Sequence, residues 1–217
     1  MAIVAGLFSG KVRPFDPGGE RTGIYKEARR EVMITKLGIE GDQQADKRYH
    51  GGTEKAVHQF SAHGYKVLRE EFSSLIDKLT PGSFGENLAT DFMSDSNVFI
   101  GDTYRVNKVL LQVSEPRKPC WKINRKFDAE NLSVFVEQHG ITGWYYRVLE
   151  PGTVQLGDKM ELEERVNEQA SIARFTQIST QHRPSLDDVG QLIDVRGLSP
   201  AWKKRLEKRL VFLSQLK

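Results

Sequence analysis

The chain of 217 residues contains one cysteine, Cys120, so an internal disulfide is excluded, as is any zinc finger or iron–sulfur cluster, each of which needs several thiolates. No apolar run approaches the roughly 20 residues that a membrane helix requires. The first residues, MAIVAGLFSGKVRPFD, break into Gly, Ser, Lys and Pro before the apolar core of a signal peptide could form. These absences place the protein in a reducing cytoplasm, with no membrane partner. Charge of one sign is also scarce. With 32 Lys and Arg against 29 Asp and Glu, the net +3 is compatible with an anionic ligand and too small to imply nucleic acid. An internal repeat and a low-complexity tract are lacking too.

What is present is a globular composition, 38% hydrophobic and 28% charged, with the pattern changing near residue 164. Up to that point short apolar runs alternate with Gly, Pro, Asn and Asp: AIVAGLFSG, EVMITKLGIEGD, KAVHQFS, VFIGDTYRV, KVLLQVSEP and GTVQLGDKMEL. These are expected to be strands, with Gly41-Asp42, Gly101-Asp102 and Gly157-Asp158 as turns. Helices are expected after Ser61, near Ser133 up to Gly140, and over GWYYRVLE. Few βαβ units are visible, so the fold class is mainly β with inserted helices, an antiparallel β-barrel over 1–164. Residues 165–217 are expected to form a small C-terminal three-helix module, with Ser185 and Asp188 at capping-box spacing and Ser199-Pro200 opening the last helix. In that helix Trp202, Leu206, Leu210 and Leu213 share one apolar stripe.

Several sites fail on their residues. GGERTGIYK puts Gly18 and Gly23 at P-loop spacing, but Ile24 and Tyr25 stand where Lys and Ser or Thr must be. GDQQAD lacks the ligands of a calcium loop, and no His pair has the spacing of a zinc helix; His50, His58 and His63 could meet only in space, with ordinary polar contacts or helix capping as the expected roles. SLDDVGQLIDVRGLSPAWKK has the outline of a helix-turn-helix, yet Asp187, Asp188 and Asp194 oppose phosphate.

Cys120 stands in VSEPRKPCWKIN. A lone cysteine is commonly a small core filler. Here Pro116 and Pro119 hold an extended loop, and Arg117, Lys118 and Lys122 bring positive charge that favours thiolate, the form that binds soft metals. KRYHGGTEKAV joins Lys47, Arg48, His50, Gly51, Gly52 and Lys55, a combination of backbone N–H groups and cations suited to phosphate or, equally, a solvated basic turn. PGSFGENL allows close backbone approach at its glycines and hydrogen bonding from Glu86 and Asn87, or is simply a tight turn.

Taken in order, GIEGDQQADKRYHGGTEKAV, PGSFGENL, GDTYRVNKVLLQVSEPRKPC and GITGWYYRVLEPGTVQLGD resemble the MOSC domain family. The resemblance implies a β-barrel that binds molybdenum cofactor, with Cys120 as the protein ligand of the metal. Lys26, Lys55 and Arg117 are then candidate anion clamps, and His50, Gly51, Gly52, Phe84, Gly85, Glu86, Asn87 and Ser114 line the cofactor or its pocket. His50 and Glu86 are the candidate proton donors beside Cys120. Similar proteins reduce N-hydroxylated compounds, hydroxylamino purines among them, to amines, with electrons from a separate flavin reductase. The chain has no dinucleotide fingerprint or cysteine cluster of its own, so an external donor is expected. A carrier of the cofactor, or of sulfur on Cys120, would need the same residues. The C-terminal helices could cover the barrel, form a homodimer or dock the donor.

Overall fold

The computed structural model describes residues 1–15 and 19–216; Gly18 of the rejected P-loop spacing lies outside the described residues. The first strands are β1 (Ala2–Ser9), β2 (Arg13–Pro14), β3 (Arg21–Thr22), β4 (Glu27–Arg29), β5 (Glu31–Thr35) and β6 (Gly38–Ile39). Helix α1 (Lys47–His50), β7 (Val57–Gln59), α2 (Ala62–Glu71), β8 (Leu88–Thr90), β9 (Thr103–Val106) and β10 (Val109–Pro116) follow. Then come α3 (Lys122–Phe127), α4 (Leu132–Gln138), β11 (Trp144–Glu150), β12 (Gly152–Gln155) and β13 (Lys159–Glu164). Helices α5 (Ile172–Thr180), α6 (Leu186–Ile193) and α7 (Pro200–Ser214) end the chain.

Seven strands close a barrel in the order β13-β9-β10-β11-β7-β8-β1, with β1 returning to β13 through Ala2 opposite Met160 and Ile3 opposite Lys159. The barrel is mixed, which corrects the antiparallel expectation: β7 and β8 run parallel, with Gln59 opposite Leu88. The connection between them runs through α2, and a helical crossover of this kind is what parallel neighbours need. Strands β12, β5 and β6 form a separate small sheet.

GWYYRVLE is strand β11, not a helix. Its aromatic and β-branched residues pair with β10 from Leu110 to Pro116 on one side and with β7 on the other. Trp144, Tyr145, Tyr146 and Val148 are all buried, so the alternation that marks a half-buried strand is missing. Helix α3, directly after Cys120, was also not expected.

Caps behave as the sequence implies. Ser61 accepts from the Gly64 N–H at 2.9 Å, Ser185 from the Asp188 N–H at 3.0 Å, and Ser199 from the Trp202 N–H at 3.4 Å. Gly41, Gly101 and Gly157 all have φ between +80° and +87°, the left-handed turn conformation.

Two apolar clusters fill the molecule. One combines the barrel residues Val4, Leu7, Leu111, Val113 and Tyr146 with Ile172, Phe175, Val189, Leu192, Leu206 and Leu213 of the last three helices. Those helices therefore bury their stripes in the same continuous core as the barrel. The other cluster gathers Phe60, Tyr65, Leu68, Phe84, Ile123, Phe127 and Val136 under α2, α3 and α4. No helix of the described residues is long and apolar enough to cross a membrane.

Candidate functional site

Strand β10 ends at Pro116, and the next residues turn across the mouth of a cavity of about 780 Å³. Its wall holds Cys120 together with Lys26, His50, Lys55, Phe84, Gly85, Asn87 and Arg117, which lie far apart in the sequence. Cys120 is half-buried and free. Four sequence candidates fall outside the wall: Gly51, Gly52, Glu86 and Ser114.

Glu86 is wholly buried beneath the wall, where it accepts from the Tyr65 hydroxyl at 2.6 Å and from the Gly82 and Phe84 N–H groups at 2.5 and 3.1 Å. Burial raises its carboxyl above the ordinary range, against the opposing pull of these donors. It shapes the PGSFGENL turn instead of facing the cavity. Ser114 is likewise engaged inside the barrel, its hydroxyl donating to the Glu54 and Tyr145 carbonyls at 2.5 and 3.1 Å. In that turn Gly85, at φ +79°, packs on Ile24, and a Cβ there would meet the isoleucine side chain at 3.1 Å.

The carboxylate that organises one side of the cavity is Asp42. It pairs with the Lys26 ammonium and accepts from the Gly10 N–H at 2.8 Å, Asn87 Nδ2 at 3.0 Å and Gln44 Nε2 at 3.1 Å. Lys26 reaches the cavity, but its charge is already matched there, and burial pulls its ammonium below the ordinary lysine value. Asn87 also accepts from the His58 N–H at 3.1 Å, which ties the turn to β7. Lys55 is partnered too, by the Tyr49 carbonyl at 2.9 Å and Glu115 at 3.4 Å.

Arg117 differs from these cations. It is buried, Nη2 donates to the Phe84 carbonyl at 3.3 Å, and Nη1 has no hydrogen-bond partner among the described residues. The buried Nε2 of His58 is unpartnered as well, and both side chains line the cavity. Buried polar atoms are nearly always satisfied, so a pair of orphans on one wall marks a place for a polar ligand. Desolvation, with Arg117 adding positive charge, holds His58 well below the ordinary histidine value. The same two causes bring His50 to about 4. At neutral pH both rings are uncharged.

Asp42, His58, Glu115, Tyr145, Trp121, Trp202 and Arg205 also stand in the wall, and the sequence marks none of them for this site. In the sequence Asp42 belongs to a Gly-Asp turn, His58 to a set of histidines without zinc spacing, and Trp202 to an apolar stripe. Of the others, Trp121 adjoins Cys120 in the chain and Glu115 precedes the cysteine loop on β10, while Tyr145 on β11 and Arg205 on α7 reach the wall only through the fold.

The chain is similar to known proteins in both sequence and fold. A family model described as MOSC domain matches residues 46–161, a span that includes His50, the PGSFGENL turn and Cys120. The chain is 36% identical over 205 residues to Protein YiiM of Escherichia coli (strain K12), covering 94% of this chain and 90% of that protein. It is 38% identical over 182 residues to a protein named Reductase from Gibberella moniliformis (strain M3125 / FGSC 7600), covering 82% of this chain but only 32% of that much longer protein. The crystal structure of YiiM from Escherichia coli superposes with a TM-score of 0.82 at 29% identity, over 97% of this chain and 93% of that one. The chain thus matches the family model over more than half its length and a relative of 36% identity over nearly all of it, and it belongs to the MOSC domain family.

Proposed function

We propose that this protein is a molybdenum-cofactor-dependent oxidoreductase that reduces N-hydroxylated compounds to amines, with electrons from a separate flavin reductase. The observation that carries this reading is the free Cys120 in the same cavity wall as the buried, unpartnered Nη1 of Arg117. A thiolate suits a soft-ligand metal, and a guanidinium with an unused donor suits a phosphate. The residues present therefore fit the cofactor: Cys120 would hold its metal, while Arg117 and His58 would donate to its anionic and polar groups. When bound, the cofactor supplies two-electron redox chemistry, which no side chain of this protein can provide. The family membership and the relative named Reductase support the same class.

The protein's own share is binding, orientation and proton supply. Cleaving an N–O bond to give an amine and water consumes two protons and two electrons. His50, at about 4, is a neutral imidazole at pH 7 and orients by its ring N–H, while releasing few protons. Of the buried glutamates near the site, Glu115 lines the cavity and Glu86 does not. Burial raises the Glu115 carboxyl above the ordinary range, against the opposing pull of the Ser199 hydroxyl and the Lys55 ammonium that it pairs with.

Molybdenum and pterin should be measured in wild type and Cys120→Ser purified from cells that make the cofactor, followed by reduction of hydroxylaminopurine with a flavin reductase. Wild type is expected to carry metal and turn over, and Cys120→Ser to lose turnover while keeping its melting temperature. Wild type that binds the cofactor and reduces no N-hydroxylated compound would instead be a carrier.

A further inference from the structure

Helix α7 reaches the cavity by its first turns, with Ala201, Trp202 and Arg205 in the wall. Its start is fixed to the cysteine-bearing side of the site. The Ser199 N–H donates to the Ser114 carbonyl at 2.9 Å, and the Ser199 hydroxyl bonds Glu115, two residues before Arg117. Trp202 packs edge-on to Phe175 with ring centroids 5.1 Å apart, and the Arg205 guanidinium lies 4.9 Å above the indole. Arg205 is exposed, and no hydrogen bond or carboxylate holds it among the described residues. The helix thus presents a guanidinium, restrained by the ring beneath it, to a cavity whose inner cations Lys26 and Lys55 are already paired with Asp42 and Glu115.

The surroundings indicate what such a group would meet. Tyr49 and Trp121 line the same cavity and are largely exposed, offering aromatic faces to a planar ring. Lys118, beside the cysteine, is exposed and unpaired among the described residues. An inner unpartnered donor on Arg117 and an outer one on Arg205 make two separate anion-seeking positions, one buried and one at the surface.

We propose that Arg205, held over Trp202, selects N-hydroxylated aromatic substrates that carry an anionic group, so that a nucleoside monophosphate is preferred to the free base. The inference rests on the reading of the site as an N-hydroxyl reductase and adds a substrate class and a specificity-determining residue to it. Arg205 acts by binding the anionic tail outside the reacting centre, so its effect falls on KM and leaves kcat unchanged.

Cofactor-loaded wild type, Arg205→Gln and Arg205→Lys should be compared on hydroxylaminopurine and on its ribonucleoside monophosphate, at low and high salt. A charge-assisted contact at this partly solvated position is expected to lower KM for the monophosphate about tenfold relative to the base. Arg205→Gln should remove that advantage, leave KM for the base and both kcat values unchanged, and flatten the salt dependence; Arg205→Lys should restore part of it. Equal KM values for the two substrates in wild type, or an equal rise for both in Arg205→Gln, would overturn the proposal. So would loss of molybdenum from Arg205→Gln, which would assign the side chain to the cofactor. If loaded wild type reduces neither compound, the reductase reading fails by itself. Calorimetry of adenosine monophosphate against adenine then tests the wall directly: tighter binding of the nucleotide that Arg205→Gln abolishes supports anion selection, and its absence refutes it.

Discussion

The two apolar clusters of the molecule are made of different side chains. The barrel cluster is largely aliphatic, strand-borne Val, Leu and Ile joined by the stripes of α5, α6 and α7. The cluster beneath the Cys120 loop is built around rings. Phe84 stacks on Phe60 at 4.7 Å, meets Phe127 at 5.4 Å and stands edge-on to Tyr65 at 5.7 Å. Interchangeable aliphatics fill a closed barrel well, and volume-conserving swaps there are tolerated. Rings have preferred mutual orientations, and Tyr65 adds a hydroxyl that must reach Glu86, so the second cluster also dictates where the PGSFGENL turn and Phe84 sit in the cavity wall. Both clusters hold the fold, and the ring cluster also sets the PGSFGENL side of the cavity wall.

That contrast can be broken most strongly at its centre. Phe84→Ala leaves a void among three rings and is expected to cost about 3–5 kcal/mol, measurable as a lower urea midpoint. It should also disturb ligand binding more than an equally destabilising change in the barrel, such as Leu111→Ala, because Phe84 lines the cavity and Leu111 does not. A smaller effect is expected at the joint between barrel and helices. Ser199→Ala removes the α7 cap and the bond to Glu115, for a loss of about 1–2 kcal/mol by the same measurement.

A third test concerns pH. His50 titrates at about 4 in the fold against an ordinary value of 6.5. Between those values the unfolded chain takes up a proton that the fold refuses, so its contribution is full above 6.5 and declines as pH falls toward 4. Asp95, whose carboxyl burial lifts from 3.8 to about 6, gives the opposite slope over much of that window. Comparing His50→Gln with wild type isolates the histidine: the variant should lose less stability than wild type between pH 7 and 4.5 in urea titrations.

Much of the barrel was legible from short runs punctuated by Gly-Asp turns, and the helix starts at Ser61, Ser185 and Ser199 were legible from capping chemistry. These signals are local, carried by residues within three or four positions of each other. Strand β11 was not legible as a strand, because burial of both its faces leaves no alternation in Trp144-Tyr145-Tyr146. The parallel pairing of β7 with β8 depends on how the α2 connection returns, which no period in either strand records. In the site, the proximity of Arg117 and Cys120 follows from the chain itself.

The sequence by itself thus determined a barrel with helices after it, the caps, and a cysteine loop rich in cations. Only the tertiary structure decided which cations are free. Lys26 and Lys55 looked no different from Arg117 in the sequence, yet Asp42 and Glu115 neutralise the first two, while among the described residues Arg117 is buried with an unused donor and Arg205 arrives from the last helix with no carboxylate paired to it. Charge is written in the residue type, but its partner is chosen by distance in the folded chain, which sequence separation does not measure.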